Sequence, residues 1–253
     1  MSRFNVFLVA LLAAVLLIPA GAASVAQASP SEGTWSYGGY TLTPPPNPEA
    51  TDAPEDVIAA ARAVRERAAD MDKAITKQMI DAANAHGARL EGLEFRLKSE
   101  QSIARKVQER AALTGKDPMA IAEELSDITR YTMVFPRQQY AASAVRVLKD
   151  LEEEGSALRI KNYWQQGDPY QGINVAITTS DDLKVELQFH TPGSIKAKEV
   201  IHKYYEAFRE STNNDKRWSL YKRMVRIAMK IPMPSWRVFT IGVLEFNGFV
   251  PIT

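Results

Sequence analysis

The spacing of apolar residues changes character along the chain. From Val6 to Ile18 it is unbroken, a run of about 13 residues and too short for a bilayer span of roughly 20. From Ser29 to Ala53 it is lost among Ser, Gly, Thr and Pro. The run Pro44-Pro45-Pro46-Asn47-Pro48 excludes helix and inner strand, so this stretch reads as an extended leader. Apolar or small residues then recur at helical spacing at Val57, Ala61, Val64, Ala68, Met71, Ile75, Met79 and Ala82. Asp52 is placed to cap this helix, with Glu55 three residues on, and Gly87 to end it. From Leu90 onward short β-like runs alternate with amphipathic helices, which predicts an α/β (α+β) layer structure in one domain. Val238 to Leu244 and Phe249 to Ile252 flank Asn247-Gly248 and predict a C-terminal hairpin.

Before the unbroken apolar run stands Arg3, and after it small residues lead to Ala26-Gln27-Ala28. This tripartite pattern predicts an export signal over residues 1–28, a leader over 29–53, a folded domain over 54–253, and a secreted mature chain starting near Ser29. The alternative is a retained anchor. The 31 basic and 30 acidic residues of the 253-residue chain give a formal charge of +1, so no general basic field points to nucleic acid or to an anionic membrane. Anionic ligands then require a local cluster. There is no cysteine and there are three histidines, His86, His190 and His202, which excludes disulfides, thiolate metal sites and a Cys nucleophile. Any metal is expected to be a hard, oxygen-liganded ion.

Three segments carry candidate chemistry. In the first, Phe95 to Lys106, a strand from Leu90 to Lys98 puts Arg96 and Lys98 on one face, and a helix starting at Ser99 puts Ser102 and Lys106 one turn apart. Cations and a hydroxyl at a helix N-terminus form a polyphosphate site, since free N–H groups and the dipole add to the side-chain charge. The alternative for this segment alone is a solvated basic helix face. In the second, Asp127 precedes the β-rich run Ile128 to Val134 and could serve Mg²⁺ or simply cap a turn. In the third, Leu183 to Thr191, strict alternation sets Val185, Leu187 and Phe189 toward a core and Glu186, Gln188 and His190 toward a wet face. Just before it, Tyr170-Gln171-Gly172-Ile173-Asn174 offers an aromatic beside a flexible turn where a base could stack.

In order and spacing these segments resemble the synthetase domain of the RelA/SpoT family over roughly Leu90 to Phe208. Arg96, Lys98, Ser102 and Lys106 match the R-x-K-x-x-x-S-x-x-x-K element, Asp127 the strand-opening Asp, Tyr170 and Asn174 the tyrosine turn, and Glu186, Gln188 and Thr191 the E-x-Q-x-x-T element. His202 and Tyr205 resemble positions on the helix that follows. Three positions depart from the family pattern. The arginine after Asp127 is Arg130, moved by two positions, which keeps it on the same strand face; Asn174 stands for His, and His190 for Arg.

The resemblance implies a nucleotidyltransferase-like mixed β-sheet flanked by helices, and closest likeness to secreted bacterial nucleotide 3′-pyrophosphokinases. These transfer the β,γ-pyrophosphoryl group of ATP to the 3′-hydroxyl of a purine nucleotide. It implies that Asp127 and Glu186 hold Mg²⁺, with Glu186 accepting the hydroxyl proton. Arg96, Lys98, Ser102, Lys106, Arg130 and, more weakly, Arg105 hold the ATP donor. Lys161, Tyr170, Asn174, Gln188 and His190 hold the acceptor nucleotide, with Tyr170 stacked on its base, and the departures imply a different or broader purine preference. None of the three histidines is followed by Asp, so no His-Asp hydrolase motif is expected. Two other classes share such a fold: a secreted toxin acting on competitor nucleotides, and a catalytically inactive nucleotide-binding exported protein.

Overall fold

The computed structural model describes residues 34–50, 52–164, 168–179 and 182–242. The export-signal reading of residues 1–28 lies outside them. Described elements run in chain order as β1 (Trp35–Tyr37), β2 (Tyr40–Leu42), α1 (Glu55–Ala85), β3 (Arg89–Glu91), α2 (Glu100–Thr114), α3 (Pro118–Glu124), β4 (Thr129–Val134), α4 (Tyr140–Glu153), β5 (Ala157–Asn162), β6 (Ile173–Thr178), β7 (Lys184–His190), α5 (Pro192–Glu210) and α6 (Asn214–Ala228). β3 to β7 form one mixed sheet in the order β3-β4-β7-β6-β5, with β4 and β7 parallel and the other pairs antiparallel. The expected fold class, a mixed sheet flanked by helices, is the one observed.

The long helix α1 joins two cores. Its first half buries Val57, Ala60, Ala61, Val64 and Ala68 against Ile103 and Val107 of α2 and Ile121 of α3. Its second half buries Ile75, Met79, Ile80 and Ala83 in the main core, with Ala144, Val147 and Leu148 of α4 and one face of the sheet. That face carries Tyr131, Met133, Ile173, Val175, Val185, Leu187 and Phe189, the alternate positions expected from a period of two. The charged site residues carried by the strands, Arg130, Arg159, Lys161 and Glu186, therefore sit on the opposite face.

Several local expectations are corrected. The N-cap of α1 is Pro54 rather than Asp52; its fixed backbone angle suits the helix entry, and Asp56 accepts the Val57 N–H. Residues 34–50 are more than a leader, because Trp35–Leu42 is a hairpin packed on α1. Gly38 and Gly39 both have positive φ in its turn, and a Cβ on Gly38 would lie 2.3 Å from Ile80 Cγ2. Leu90 to Lys98 is not one strand. Gly92 adopts the left-handed conformation (φ 69°) directly after β3, and a 3₁₀ turn over Leu93–Phe95 breaks the two-residue period. At the C-terminus, residues 238–240 belong to a 3₁₀ turn (Trp236–Thr240) rather than a strand, with Val238 buried, and the rest of the expected hairpin lies outside the described residues.

Candidate active site

The second face of the sheet gathers charge. Pairing sets Arg159, Ala176, Glu186 and Arg130 in one row across β5, β6, β7 and β4, and Lys161, Asn174, Gln188 and Thr132 in the next. Lys98 and Asp127 reach its rim from the segment before α2 and the turn before β4, Lys106 from α2, and Lys198 from α5, which lies over the face. Six cations, Lys98, Lys106, Arg130, Arg159, Lys161 and Lys198, thus surround Asp127 and Glu186, each within electrostatic reach of another member. For a chain of net charge +1 this is a strong local concentration.

The two carboxylates are held in different ways. Asp127 is paired with two ammonium groups: Lys98, and Lys106, whose Nζ lies 2.8 Å from both carboxylate oxygens. Burial alone would raise the Asp127 carboxyl, but the two lysines override it and hold it well below the usual range. Burial in turn drags the Lys98 ammonium down, against the pull of Asp127. Glu186 has no ammonium partner at hydrogen-bond distance. It accepts N–H from Asn174 Nδ2 at 3.2 Å and from Gln188 Nε2 at 3.1 Å, and burial raises it although Arg130 pulls the other way.

The expected wet face is buried. Glu186 is 6% exposed and Gln188 and His190 are 0% exposed, because α5 covers them and Lys198 Nζ donates to Gln188 Oε1 at 2.7 Å. Tyr170 is buried too. Its ring meets Tyr163 and His190 edge to face at 5.2 Å each, and its hydroxyl donates to Asn174 Oδ1 at 2.7 Å, so no ring face is offered to a base in this arrangement. The neighbouring glycine serves close approach rather than flexibility: a Cβ on Gly172 would stand 2.9 Å from His190 Cε1 and 3.1 Å from Tyr170 Cε1.

The donor element divides. Lys98 and Lys106 are at the site, but Arg96 turns into the protein. Its guanidinium binds Asp72 of α1 through Nε (2.8 Å) and Nη2 (2.6 Å) and gives Nη1 to the carbonyls of Leu93 and Thr43. It therefore ties the hairpin segment, α1 and the 3₁₀ turn together. The N-terminus of α2 is closed as well. Glu100 N–H goes to Asn47 Oδ1, Gln101 N–H to the Pro48 carbonyl, and Ser102 N–H to the capping Ser99 Oγ, so the expected free N–H groups are used up by the proline-rich segment and the cap. The Ser102 hydroxyl accepts from Ser99, and Arg105 is exposed on α2 beside Tyr205 of α5.

Two site residues were not foreseen. Arg159 was legible, since Arg159 and Lys161 share a face by the period of two. Lys198 had only a helical signal: it lies four residues after Ser194 and four before His202, all buried on the inner side of α5. Neither ring nitrogen of His202 has a hydrogen-bond partner. Burial also lowers Lys198, to about 7.

The residues fit a hard divalent cation. Each oxygen of Glu186 spends one lone pair on an amide and keeps another, and Asp127 would be released when an incoming polyphosphate draws its lysines away. One or two carboxylates completed by phosphate oxygens is the ordinary Mg²⁺ arrangement. Among the described residues no group of three or more acidic or histidine side chains converges on one point, and no helix is long and apolar enough to cross a membrane.

The sequence matches no protein-family model and no curated protein. In three dimensions it is similar to the Type VI effector Tas1 in complex with its immunity protein, with 20% identity over 71% of this chain and 97% of that one and a TM-score of 0.44. It is also similar to the small alarmone synthetase 2 from Bacillus subtilis (18% identity, 69% and 93% covered, TM-score 0.44). A GTP pyrophosphokinase family protein from Streptococcus pneumoniae is a third (15% identity, 69% and 85% covered, TM-score 0.39).

Proposed function

We propose that this protein transfers the β,γ-pyrophosphoryl group of ATP to the 3′-hydroxyl of a purine nucleotide, releasing AMP and a nucleotide 3′-diphosphate. The observation that carries the reading is the placement of six cations around two unlike carboxylates on one sheet face. Phosphoryl chemistry asks a protein mainly for positioning and charge neutralisation, and this face supplies both.

In the proposed reaction Lys98 and Lys106 exchange Asp127 for the donor phosphates, and Arg130 faces the transferring group from β4. Lys161 and Arg159 neutralise the 5′-phosphates of the acceptor. Glu186, whose burial makes its carboxylate more basic than usual, accepts the proton of the 3′-hydroxyl. The 3′-oxygen forms its bond to the β-phosphorus as the bond from that phosphorus to the α,β-bridging oxygen breaks, and AMP leaves. Mg²⁺ held by Asp127 and Glu186 would neutralise charge on the phosphates. Arg96, bound to Asp72, is assigned to the scaffold and not to ATP.

The test is to incubate the full chain with ATP, Mg²⁺ and each purine nucleotide in turn, and to identify products by mass and by position of phosphorylation. AMP formed in step with a 3′-diphosphorylated acceptor is expected. ADP in its place would replace the reading with a simple kinase.

A further inference from the structure

Both oxygens of Glu186 receive an N–H from a side-chain amide, and an amide can equally present its oxygen. The orientation of Asn174 and Gln188 therefore decides whether Glu186 is supported or repelled. Each amide is fixed from its far side. Lys198 Nζ donates to Gln188 Oε1 at 2.7 Å, which turns the Gln188 NH₂ toward Glu186 Oε2. Tyr170 donates its hydroxyl hydrogen to Asn174 Oδ1 at 2.7 Å, which turns the Asn174 NH₂ toward Glu186 Oε1.

The tyrosine arm extends further by elimination. Tyr170 has one hydroxyl hydrogen and gives it to Asn174, so the contact with His190 Nε2 at 2.9 Å has the imidazole N–H as donor. His190 Nδ1 is then bare and accepts from Ser194 Oγ at 2.9 Å, a shorter contact for that hydroxyl than its alternative acceptor, the Thr191 carbonyl at 3.2 Å. Ser194 is held in the capping box with Thr191 at the start of α5. Gly172 keeps the arm closed, since any Cβ there would press on both rings. The result is a directed chain from the α5 N-terminus through His190, Tyr170 and Asn174 to one oxygen of Glu186, with Lys198 and Gln188 serving the other.

We propose that Tyr170 and Lys198 are positioning residues that fix the Asn174 and Gln188 amides so that Glu186 is held as a two-sided hydrogen-bond acceptor facing the site. This rests on the pyrophosphotransfer reading for its consequence, but not for its geometry. It gives Tyr170 a task carried by the hydroxyl, whereas stacking on a base is carried by the ring, and Tyr170→Phe separates the two.

The experiment uses the full chain as wild type, Tyr170→Phe and Lys198→Met, with two readouts. In kinetics, each variant is expected to lower kcat by about 10- to 100-fold, the scale of losing a residue that orients a ligating or catalytic group, with acceptor KM changed by no more than about 3-fold. In ¹⁵N NMR, with Asn174→Asp and Gln188→Glu used for assignment, the carboxamide hydrogens of Asn174 are expected to lose their exchange protection in Tyr170→Phe, and those of Gln188 in Lys198→Met. Wild-type kcat with protected amides in both variants would overturn the proposal. If the wild type shows no pyrophosphoryl transfer, the functional reading fails, and the amide protection alone still decides whether the clamp exists.

Discussion

Asp127 and Glu186 belong to one charged face, yet the protein holds them by opposite means. Asp127 is gripped by two lysines, which keeps it ionised and which, in the proposed reaction, exchange it for phosphate. Glu186, about equally buried, is fixed by neutral amides, and without a lysine partner it is the more basic of the two. Pairs of titratable groups whose surroundings push them apart mark a division of labour between binding charge and moving a proton. The difference teaches that, in the proposed reaction, the lysine-held carboxylate suits exchange and the amide-held one orientation.

The strongest test of this contrast replaces each carboxylate by its amide. Asp127→Asn and Glu186→Gln should each lower kcat by at least about 10²- to 10³-fold, the scale of removing one major electrostatic stabiliser. Their stabilities should diverge. Asp127→Asn leaves Lys98 buried without its counter-ion and should cost about 3 kcal/mol in urea unfolding, whereas Glu186→Gln removes a buried charge and should leave the midpoint nearly unchanged. Equal unfolding midpoints would erase the distinction.

Arg96→Met should have a comparable structural cost, about 3 kcal/mol, because Asp72 is then a buried carboxylate without its cation. The folded fraction should keep its ATP KM. A large rise in that KM at unchanged stability would return Arg96 to the donor site.

The pH dependence of stability follows from Lys198. Burial and the push of Arg130 lower it to about 7, against the pull of Glu186, Glu199 and Glu91. Its ordinary value in the unfolded chain is about 10.4. Between these values the unfolded chain binds more protons than the folded one, so this lysine makes stability rise as pH increases from about 7 toward 10. Urea midpoints of wild type at pH 7, 8 and 9 should gain on those of Lys198→Met, and parallel curves would show that the ammonium is not buried at a cost. The smallest effect belongs to Gly172→Ala, where the crowded Cβ should cost about 1–2 kcal/mol and slow turnover only by what the tyrosine arm loses. An unchanged melting temperature would mean that the rings yield freely.

Much of this face was legible in the sequence. The strict alternation of β7 places Glu186, Gln188 and His190 together, and the resemblance to the RelA/SpoT synthetase pattern implied the meeting of Lys98, Lys106 and Asp127. Burial was not legible, because the inner side of α5 reads as an ordinary amphipathic stripe and Lys198 in it as a solvated charge. The inward turn of Arg96 was not legible because one left-handed glycine and a 3₁₀ turn cancel the strand period, and its partner Asp72 lies 24 residues earlier on α1. The closure of α2 was hidden for a similar reason. Asn47 and Pro48 are 53 residues from the N–H groups they satisfy, and a proline-rich stretch carries no local sign of what it will pack on.

The central claim, that this face moves two phosphates as one group, is tested most directly with ATP carrying distinguishable labels on the α-, β- and γ-phosphates. Full chain, Mg²⁺ and a purine nucleotide acceptor should yield AMP carrying only the α label, and an acceptor whose 3′-position carries the β and γ labels in equal amounts. Transfer of the γ label alone with release of ADP, or no transfer by a folded protein toward any purine nucleotide, would contradict the account.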